Sequence, residues 1–446
     1  MPKEINFDEF DQWISARNSE QEEYLQATRE IARDVIDVYN ENQDYQQYDV
    51  LRRLSLPERI IHFSVTWLND NNDVEINQGW RVQHSGLIGP YKGGLRFHPT
   101  VNESILKFLA FEQSFKNALT GMPIGGAKGG ADFDPRNRSE AEIMRFCQAF
   151  MTELQHHIGP NTDVPAGDIN VGAREIGFLY GQYRRIHNRF SGTLTGKGLS
   201  FGGSHVRTEA TGFGLIYMLR AVLEHHNHKI DGLTVGVSGA GNVAMHAALR
   251  AIQLGAKVVS LSNSRGCLQY SKGFSENDIR WAIDHKPENK NVLTALQEKI
   301  GGDWHADKKP WHLKMDIALP CGTQNELDEE DAQALTNNGV KYVLEGANMP
   351  CTDAAREHFE DQEILFVPGK AANAGGVAIS GLEMSQNANF QRDSYNEIDD
   401  TLQDIMQSIH AKMVENGTRD GKVNYARGAN IAGFRRLADA MVAQGI

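Results

Sequence analysis

A lysine flanked on both sides by glycine is the residue of this sequence whose surroundings most directly indicate chemistry. Lys128 lies between Gly125-Gly126 and Gly129-Gly130. Glycine costs backbone entropy, so this density indicates a backbone that turns sharply or approaches another group closely. We expect a loop that holds Lys128 in a partly dry pocket, where a lowered pKa would let it act as an acid, a base or a clamp on a carbonyl. The alternative is a solvated lysine on a surface loop.

Two more lysines precede it. Lys92 is also bracketed by glycine, in the segment 86–96, and Lys116 lies on a helix predicted near 102–119. Gln113 is three residues before Lys116 and shares its helix face. Three such lysines in a short stretch predict a site for a substrate with two negative charges.

Other polar residues have structural explanations. Asp168 follows Pro-Ala-Gly, which favours an N-cap or turn carboxylate. The histidines at 225, 226 and 228 end a predicted helix, where the helix dipole favours them, so we do not predict a metal site there.

The elements around the lysines are typical of a mixed α/β domain. Polar turn residues separate two segments rich in β-branched and aromatic residues, at 59–67 and 74–84, which we interpret as paired strands. Helical spacing of apolar residues predicts helices at 20–39, 102–119 and 139–157.

The second half of the chain changes to alternating strands and helices. We predict a strand at 233–238, a turn at 239–244, a helix at 245–254 and a strand at 257–262. The turn carries G-x-G-x-x-A, the dinucleotide fingerprint, in its required βαβ context. A pyrophosphate would lie at the helix N-terminus, against Gly239, Gly241, Asn242 and Val243.

The end of the second strand bears on the choice of cofactor. NAD-binding folds usually place an acid there for the ribose 2′-hydroxyl, whereas this chain has Ser262-Asn-Ser-Arg-Gly266. We therefore predict NADP, with Ser262, Ser264 and Arg265 as candidate contacts of the 2′-phosphate. An ordinary polar turn in a dual-specificity enzyme is the alternative.

Further strands end in polar or glycine-rich turns. These turns span 321–325, 346–348 and 369–376, and they include Asn348 and Asn373. Ligands of open parallel sheets bind beyond the carboxyl ends of the strands, so we expect these turns to line the nicotinamide side.

Composition limits the class of protein. The 446 residues are 40% hydrophobic and 23% charged, and the net charge of −13 disfavours nucleic acid as a partner. No apolar run reaches the roughly 20 residues that cross a bilayer. An acidic N-terminal segment and four scattered cysteines predict a cytoplasmic protein without a disulfide framework or a thiolate zinc site.

The length favours two domains. We expect an α/β protein in which residues 1–203 bind substrate and assemble subunits, joined by a C-terminal helix near 427–446. Residues 204–426 would form a Rossmann-type domain, and the glycine-rich segment 192–204 would be the hinge.

Several motifs carry a resemblance to a known family. They are Pro90-Tyr-Lys-Gly-Gly-Leu-Arg-Phe-His-Pro99, Gln113-Ser-Phe-Lys116, Gly125-Gly-Ala-Lys-Gly-Gly-Ala-Asp-Phe-Asp-Pro135, Val164-Pro-Ala-Gly-Asp-Ile-Asn-Val-Gly172, Arg207-Thr-Glu-Ala-Thr-Gly212 and Asn373-Ala-Gly-Gly-Val-Ala-Ile-Ser-Gly-Leu-Glu-Met384. From about residue 55 to its end the chain resembles the hexameric bacterial and fungal glutamate dehydrogenases, most closely the NADP-dependent type.

The resemblance implies a role for each candidate in the substrate site. Lys92 and Ser380 would hold the side-chain carboxylate of glutamate, and Gln113 and Lys116 would hold its α-carboxylate. Lys128 would polarise the 2-oxo group and activate water.

The remaining implied roles concern the proton and the cofactor. Asp168 would shuttle protons to and from the amino nitrogen. The cofactor contacts would include Thr208, Thr211, Asn348 and Asn373.

The activity implied is the reversible NADP-dependent deamination of L-glutamate to 2-oxoglutarate and ammonium, working in ammonium assimilation, by a homohexamer. Ala127, Ala131 and Met122 depart from the residues usual in the family, which puts affinity rather than activity in question.

Three alternatives stay open. A dehydrogenase for leucine, valine or phenylalanine would replace the cation at 92 with an aliphatic residue, which Lys92 beside Ser380 opposes. A catalytically silent regulatory homologue would have lost Lys128 or Asp168, and both are present. An NAD-dependent or dual-specificity glutamate dehydrogenase is the third.

Overall fold

The computed structural model describes residues 3–285 and 291–445. The α-helices in these residues are α1 (Phe7–Ser15), α2 (Glu22–Asn40), α3 (Gln43–Gln47), α4 (Val50–Leu54), α5 (Glu103–Leu119), α6 (Glu140–Leu154), α7 (Ala173–His187), α8 (Ala210–His225), α9 (Asn242–Gln253), α10 (Glu276–His285), α11 (Val292–Ile300), α12 (Glu329–Asn337), α13 (Asp353–Asp361), α14 (Gly369–Ala372), α15 (Gly375–Asn389), α16 (Tyr395–Gly417) and α17 (Tyr425–Gln444).

The strands of the same residues are β1 (Arg59–Leu68), β2 (Val74–Ser85), β3 (Tyr91–Phe97), β4 (Gly126–Ala131), β5 (Asp163–Gly167), β6 (Thr234–Val237), β7 (Lys257–Asn263), β8 (Gly266–Gln269), β9 (Asp303–Ala306), β10 (Ile317–Leu319), β11 (Tyr342–Leu344), β12 (Leu365–Val367), β13 (Thr418–Arg419) and β14 (Lys422–Val423). None of the helices in the described ranges is long and apolar enough to cross a membrane.

The chain divides into two compact units. The first comprises Met1–Arg207, Val377–Ile398 and Asn430–Ile446, and the second comprises Thr208–Gly376 and Asp399–Ala429. Residues 377–398, which the sequence analysis placed in the Rossmann-type domain, thus belong with the first unit. They do so because α15 packs there: Glu383 forms a fully buried ion pair with Lys197, at 2.8 Å.

The first unit contains a five-stranded sheet in the order β1-β2-β4-β3-β5. β1, β2 and β4 pair antiparallel, whereas β3 runs parallel to both β4 and β5. β5 is an edge strand and therefore tolerates Pro165, which lacks a backbone donor. Helices α6 and α7 cover one face through a buried aromatic core that includes Phe97, Phe133, Phe146 and Phe150.

The glycine-rich segments around Lys92 and Lys128 are strands, and the prediction of a loop at Lys128 was wrong. β3 and β4 lie inside the sheet because their glycines allow close packing. A Cβ at Gly93 would lie 1.6 Å from the carbonyl oxygen of Ala127, and one at Gly126 would lie 2.0 Å from Oγ of Ser114 on α5. The glycines thus serve close approach rather than a turn.

The second unit contains a seven-stranded sheet in the order β12-β11-β10-β6-β7-β8-β9. The strands from β12 to β7 are parallel, so their carboxyl ends share one edge. The predicted βαβ unit is present as β6, α9 and β7. α9 begins at Asn242 rather than at 245, because Gly241 is already the extended N-cap residue.

Candidate active site

Lys128 and Asp168 form an ion pair across strand β3. Lys128 lies on β4, Asp168 follows β5, and Nζ is 3.2 Å from Oδ1. Between them β3 carries Gly94, where a Cβ would lie 2.8 Å from Cβ of Asp168. A glycine at this position is what lets the two side chains meet. Asp168 is not an N-cap, since α7 is capped by Gly172.

The pKa values of both members of this pair are lowered, that of Lys128 mainly by burial and that of Asp168 by the neighbouring positive charges. Burial lowers the pKa of Lys128, the charge of Asp168 opposes that effect, and the charge of Arg96 adds to it. Burial alone would raise the pKa of Asp168, but the charges of Lys128 and Arg96 hold it well below its usual value. Arg96 donates from Nε to Oδ2 of Asp168 at 2.8 Å. The result is an ionised carboxylate beside a lysine that loses its proton more easily than usual.

Lys92 and Ser380 lie in a second cationic cluster of the same unit. Arg207 donates from Nε to the hydroxyl of Ser380 at 3.0 Å. Lys92 is 1% exposed, and burial, followed by the charges of Arg207 and Arg81, lowers its pKa well below the usual value. A buried cation cluster of this kind is stabilised by an anion that enters it.

Gln113 and Lys116 lie on α5, which packs against β4. Gln113 donates from Nε2 to Oδ1 of Asn117 at 2.7 Å, and Asn117 donates to the carbonyl of Lys92 at 3.1 Å. Both Gln113 and Lys116 are partly exposed. The amide network therefore ties the helix that carries them to the strand that carries Lys92.

Sequence reasoning assigned no role to three arginines of this site. Arg96 and Arg207 stand inside the quoted motifs, but only the fold brings them to Asp168 and Ser380. Arg81 on β2 is fully buried, donates to Asp163 at 2.9 Å and to the carbonyl of Gly93 at 3.1 Å. No periodicity or spacing in the sequence pairs these side chains.

The second unit presents a cradle at the start of α9. Gly239 has a positive φ of 85°, and Gly241 has no atom within 4 Å of an added Cβ, so the space above the turn is open. Asn242 is exposed and donates from its side chain to the carbonyl of Thr208, and Val243 is half-buried. Free backbone amides at a helix N-terminus, facing open space, fit a dinucleotide pyrophosphate.

Asn348 and Asn373 are brought together at the carboxyl edge of the parallel sheet. Asn373 donates from Nδ2 to Oδ1 of Asn348 at 3.1 Å and to the carbonyl of Ala347 at 3.0 Å. Thr211 lies in the first turn of α8 and is partly exposed. The turns after β11 and β12 are thus linked where ligands of such sheets bind.

The three candidate contacts of a 2′-phosphate differ in their surroundings. Ser264 and Arg265 are exposed and form the two-residue turn between β7 and β8, in which Asn263 pairs with Gly266. Ser262 is buried, and its hydroxyl accepts a hydrogen bond from the amide of Gly239 at 3.0 Å. Ser264 and Arg265 are therefore the more accessible pair.

The histidines near the end of α8 pack against tyrosines. His226 lies 3.2 Å from the hydroxyl of Tyr425, and His228 contacts that of Tyr342. Within residues 3–285 and 291–445 no cluster of histidine, cysteine, aspartate or glutamate is placed to hold a metal ion.

Family models and similar proteins of known activity match the chain over nearly its whole length. Residues 202–445 match the family model of glutamate/leucine/phenylalanine/valine dehydrogenases, and residues 57–185 match the dimerisation domain of the same enzymes. The chain is 50% identical to the NADP-specific glutamate dehydrogenase of Psychrobacter sp. TAD1, over 97% of this chain and 98% of the relative. It is also 49% identical to an NAD-specific glutamate dehydrogenase of Bacteroides fragilis, over 99% of this chain and 100% of the relative.

A solved glutamate dehydrogenase of Plasmodium falciparum superposes with a TM-score of 0.96 at 45% identity, covering 99% of this chain and 94% of the other. With its two matched domains and its full-length relatives, this chain belongs to the Glu/Leu/Phe/Val dehydrogenase family.

Proposed function

We propose that the chain is an NADP-dependent glutamate dehydrogenase, an oxidoreductase acting on the CH–NH2 group. The observation that carries the choice of substrate is the cluster of the buried Lys92 and Ser380 with the half-buried Arg207 in the first unit. An amino acid with an apolar side chain would leave those cations unpaired, at a cost of several kcal/mol. A substrate with a second carboxylate neutralises them.

In this proposal the substrate is held at both of its carboxylates. Lys92 and Ser380 bind the side-chain carboxylate, with Arg207 orienting the serine hydroxyl. Lys116 and Gln113 bind the α-carboxylate. Because both ends are fixed, the Cα and its nitrogen lie beside Lys128 and Asp168. The substrate then loses its orientational freedom on binding rather than in the reaction step, which lowers the activation free energy.

The proton steps belong to Lys128 and Asp168. Asp168 is ionised and accepts a proton from the substrate ammonium, which gives the amine. Bound NADP supplies the hydride acceptor for the substrate Cα. Neutral Lys128 then takes a proton from the water that adds to the imine, and its cationic form stabilises the oxygen of the product carbonyl. Asp168 returns its proton to the nitrogen, and the C–N bond breaks as the product carbonyl forms. One glutamate, one water and one NADP+ thus yield 2-oxoglutarate, ammonium, NADPH and a proton.

The choice of NADP is supported by the hairpin turn of Ser264 and Arg265, which offers a cation and a hydroxyl and no acid. Dual specificity is the second candidate, because an NAD-specific relative is 49% identical to this chain.

We also propose a homohexamer that works in ammonium assimilation in the cytoplasm. The match to a dimerisation domain supports assembly. The four cysteines are buried and unpaired, as is usual in a reducing compartment. Light scattering should give a mass near six times the 49.6 kDa of one chain.

The test of the proposed function is the initial rate of NADPH oxidation with 2-oxoglutarate and ammonium, beside the same assay with NADH. We expect a clear preference for NADPH and no turnover of 2-oxoisocaproate. Equal rates with NADH would establish the dual-specificity candidate, and activity only with apolar 2-oxo acids would reject glutamate as the substrate.

A further inference from the structure

Glu345 is a buried carboxylate at the carboxyl edge of the parallel sheet, and no step of the proposed reaction uses it. It directly follows β11 and is 3% exposed. Burying an ionised carboxylate is costly unless hydrogen-bond donors surround it. The donors that contact Glu345 therefore indicate what this carboxylate does.

The two oxygens of Glu345 contact two different turns. Oε2 accepts a hydrogen bond from the amide of Gly369, the first residue of α14, at 2.7 Å. Oε1 accepts one from the amide of Cys351, in the turn after β11, at 3.3 Å. One carboxylate thus connects the turn that follows β11 with the turn that follows β12.

These two turns carry Asn348 and Asn373. Asn348 lies between Glu345 and Cys351 in the sequence, and Asn373 directly follows α14. Nδ2 of Asn373 donates to Oδ1 of Asn348 at 3.1 Å. A Cβ at Gly369 would lie 3.2 Å from Nδ2 of Asn373 and 3.4 Å from Oε2 of Glu345. The carboxylate and the asparagine amide therefore lie on the same side of Gly369.

The turn after β11 has a strained backbone. Met349 has a φ of 46°, in the left-handed region that residues other than glycine seldom adopt. The amide of Asn325 donates to the carbonyl of Met349 at 2.9 Å, and Glu345 accepts from Cys351, two residues after Met349. Strain of this kind persists where surrounding contacts fix the conformation, and it is concentrated at ligand sites.

We propose that Glu345 is a positioning residue for the cofactor: its ionised carboxylate holds the two turns so that Asn348 and Asn373 present their amides to NADP. The inference rests on the proposed function, because it takes the two asparagines as cofactor contacts. Both oxygens of Glu345 already accept from backbone amides, so Glu345 acts through the asparagines rather than by touching the cofactor.

The charge of Glu345 changes near neutral pH. Burial raises the pKa of its carboxyl to about 7, and the charge of Arg356 on α13 is the largest opposing effect. Arg356 is itself paired with Asp353. Burial raises the pKa of the Cys351 thiol well above its usual value, so that this thiol stays protonated. As the pH falls through about 7, Glu345 takes up a proton and loses the charge that strengthens both hydrogen bonds.

The experiment is calorimetric titration of the full-length protein with NADP at pH 8.5, 7 and 6. Glu345→Gln keeps the shape of the side chain but replaces one acceptor oxygen with an NH2 group. It should weaken NADP binding about tenfold at pH 8.5, the loss of one hydrogen bond to a charged group. At pH 6 the wild-type carboxyl is mostly protonated, and the same change should weaken binding only about twofold.

The matched control is Glu357→Gln, which changes an exposed acid on α13. It should bind NADP as the wild type does at each pH. The 2′-phosphate of NADP also titrates in this range, but every protein meets the same ligand. The ratio of variant to wild-type affinity therefore isolates the titration of Glu345.

A double variant tests whether Glu345 acts through Asn373. In protein that carries Asn373→Ala, adding Glu345→Gln should weaken NADP binding by less than about threefold at pH 8.5, because the contact that Glu345 positions is already lost. Asn373→Ala alone should also lose less affinity than the wild type between pH 8.5 and 6. That comparison tests the inference without any change at Glu345.

Three results would overturn the inference. They are equal affinity of Glu345→Gln and the wild type, a loss of affinity in Glu345→Gln that is the same at pH 8.5 and 6, and an undiminished loss in the Asn373→Ala protein. Each would show that neither the charge of Glu345 nor its link to Asn373 controls cofactor binding. Wild-type protein that binds no NADP would overturn the proposed function as well, which distinguishes the two failures.

Discussion

At the scale of single residues, the proton affinity of Lys128 and Lys92 depends on the positive charges that surround them. The glycines beside both lysines and the motif resemblance were enough to nominate them from the sequence. Arg96 and Arg207 were not nominated, because their partners Asp168 and Ser380 are 72 and 173 residues away. Contacts of that range follow from strand pairing and helix packing, which no local pattern encodes.

Lys92→Leu tests the pocket for the side-chain carboxylate. Removing a charged hydrogen-bond donor should cost about 1.5–3 kcal/mol of binding, which lowers kcat/KM for glutamate roughly 10- to 100-fold. The leucine should also admit norvaline better than the wild type does. The measurement is kcat/KM for both amino acids. Unchanged selectivity would mean that the side chain binds elsewhere.

Arg96→Gln tests the electrostatic control of Lys128. The charge of Arg96 lowers the pKa of Lys128, so its removal should raise that pKa. In our proposal deamination requires the neutral lysine as base, and the rising limb of kcat/KM for glutamate should therefore move to higher pH.

Arg96→Lys is the control for that experiment, because it keeps the positive charge beside Asp168. Its pH profile should stay close to that of the wild type. An equal shift in both variants would attribute the effect to geometry rather than to charge.

At the scale of elements, β3 and β4 explain why glycine surrounds Lys128. Neighbouring backbone atoms occupy the space that side chains at Gly93 and Gly126 would need. Glycine indicates either a turn or a close approach, and sequence alone favoured the turn at Lys128. The strands β1 and β2 were predictable, because runs of β-branched and aromatic residues separated by polar turn residues indicate paired strands.

The hairpin between β7 and β8 carries the cofactor preference in our proposal. Arg265 lies exposed at its tip. Arg265→Ala should raise KM for NADPH about tenfold, the loss of one charged contact, and leave KM for NADH nearly unchanged. Arg280→Ala, an exposed arginine on α10, is the matched control and should change neither value. Parallel changes for both cofactors would place the 2′-phosphate elsewhere.

At the scale of the whole molecule, stability should depend on acid through buried neutral histidines. Burial and then the charge of Lys107 lower the pKa of His84 in the folded chain from 6.5 to about 3. The unfolded chain therefore takes up the proton first. The contribution of neutral His84 to the free energy of unfolding is fully present above pH 6.5. It falls as the pH drops from there toward 3, by up to about 1.4 kcal/mol per pH unit.

His84→Phe should remove this contribution while keeping the ring contact with Phe111. Urea unfolding at pH 7.5 and at pH 5 should show a smaller acid loss in the variant than in the wild type. His156→Phe, at an exposed position of the same unit, is the control. Between pH 7.5 and pH 5 its free energy of unfolding should fall by as much as that of the wild type. An identical acid loss in all three proteins would show that other groups control acid unfolding.

The central claim is that Lys128, paired with Asp168, performs the chemistry on glutamate. The most direct test is the initial rate of NADPH oxidation with 2-oxoglutarate and ammonium in Lys128→Ala, measured beside NADPH binding by fluorescence. We predict a loss of at least about 100-fold in rate, the contribution of a positioned acid or base, with cofactor affinity unchanged. A variant that binds NADPH and turns over at the wild-type rate would contradict the account.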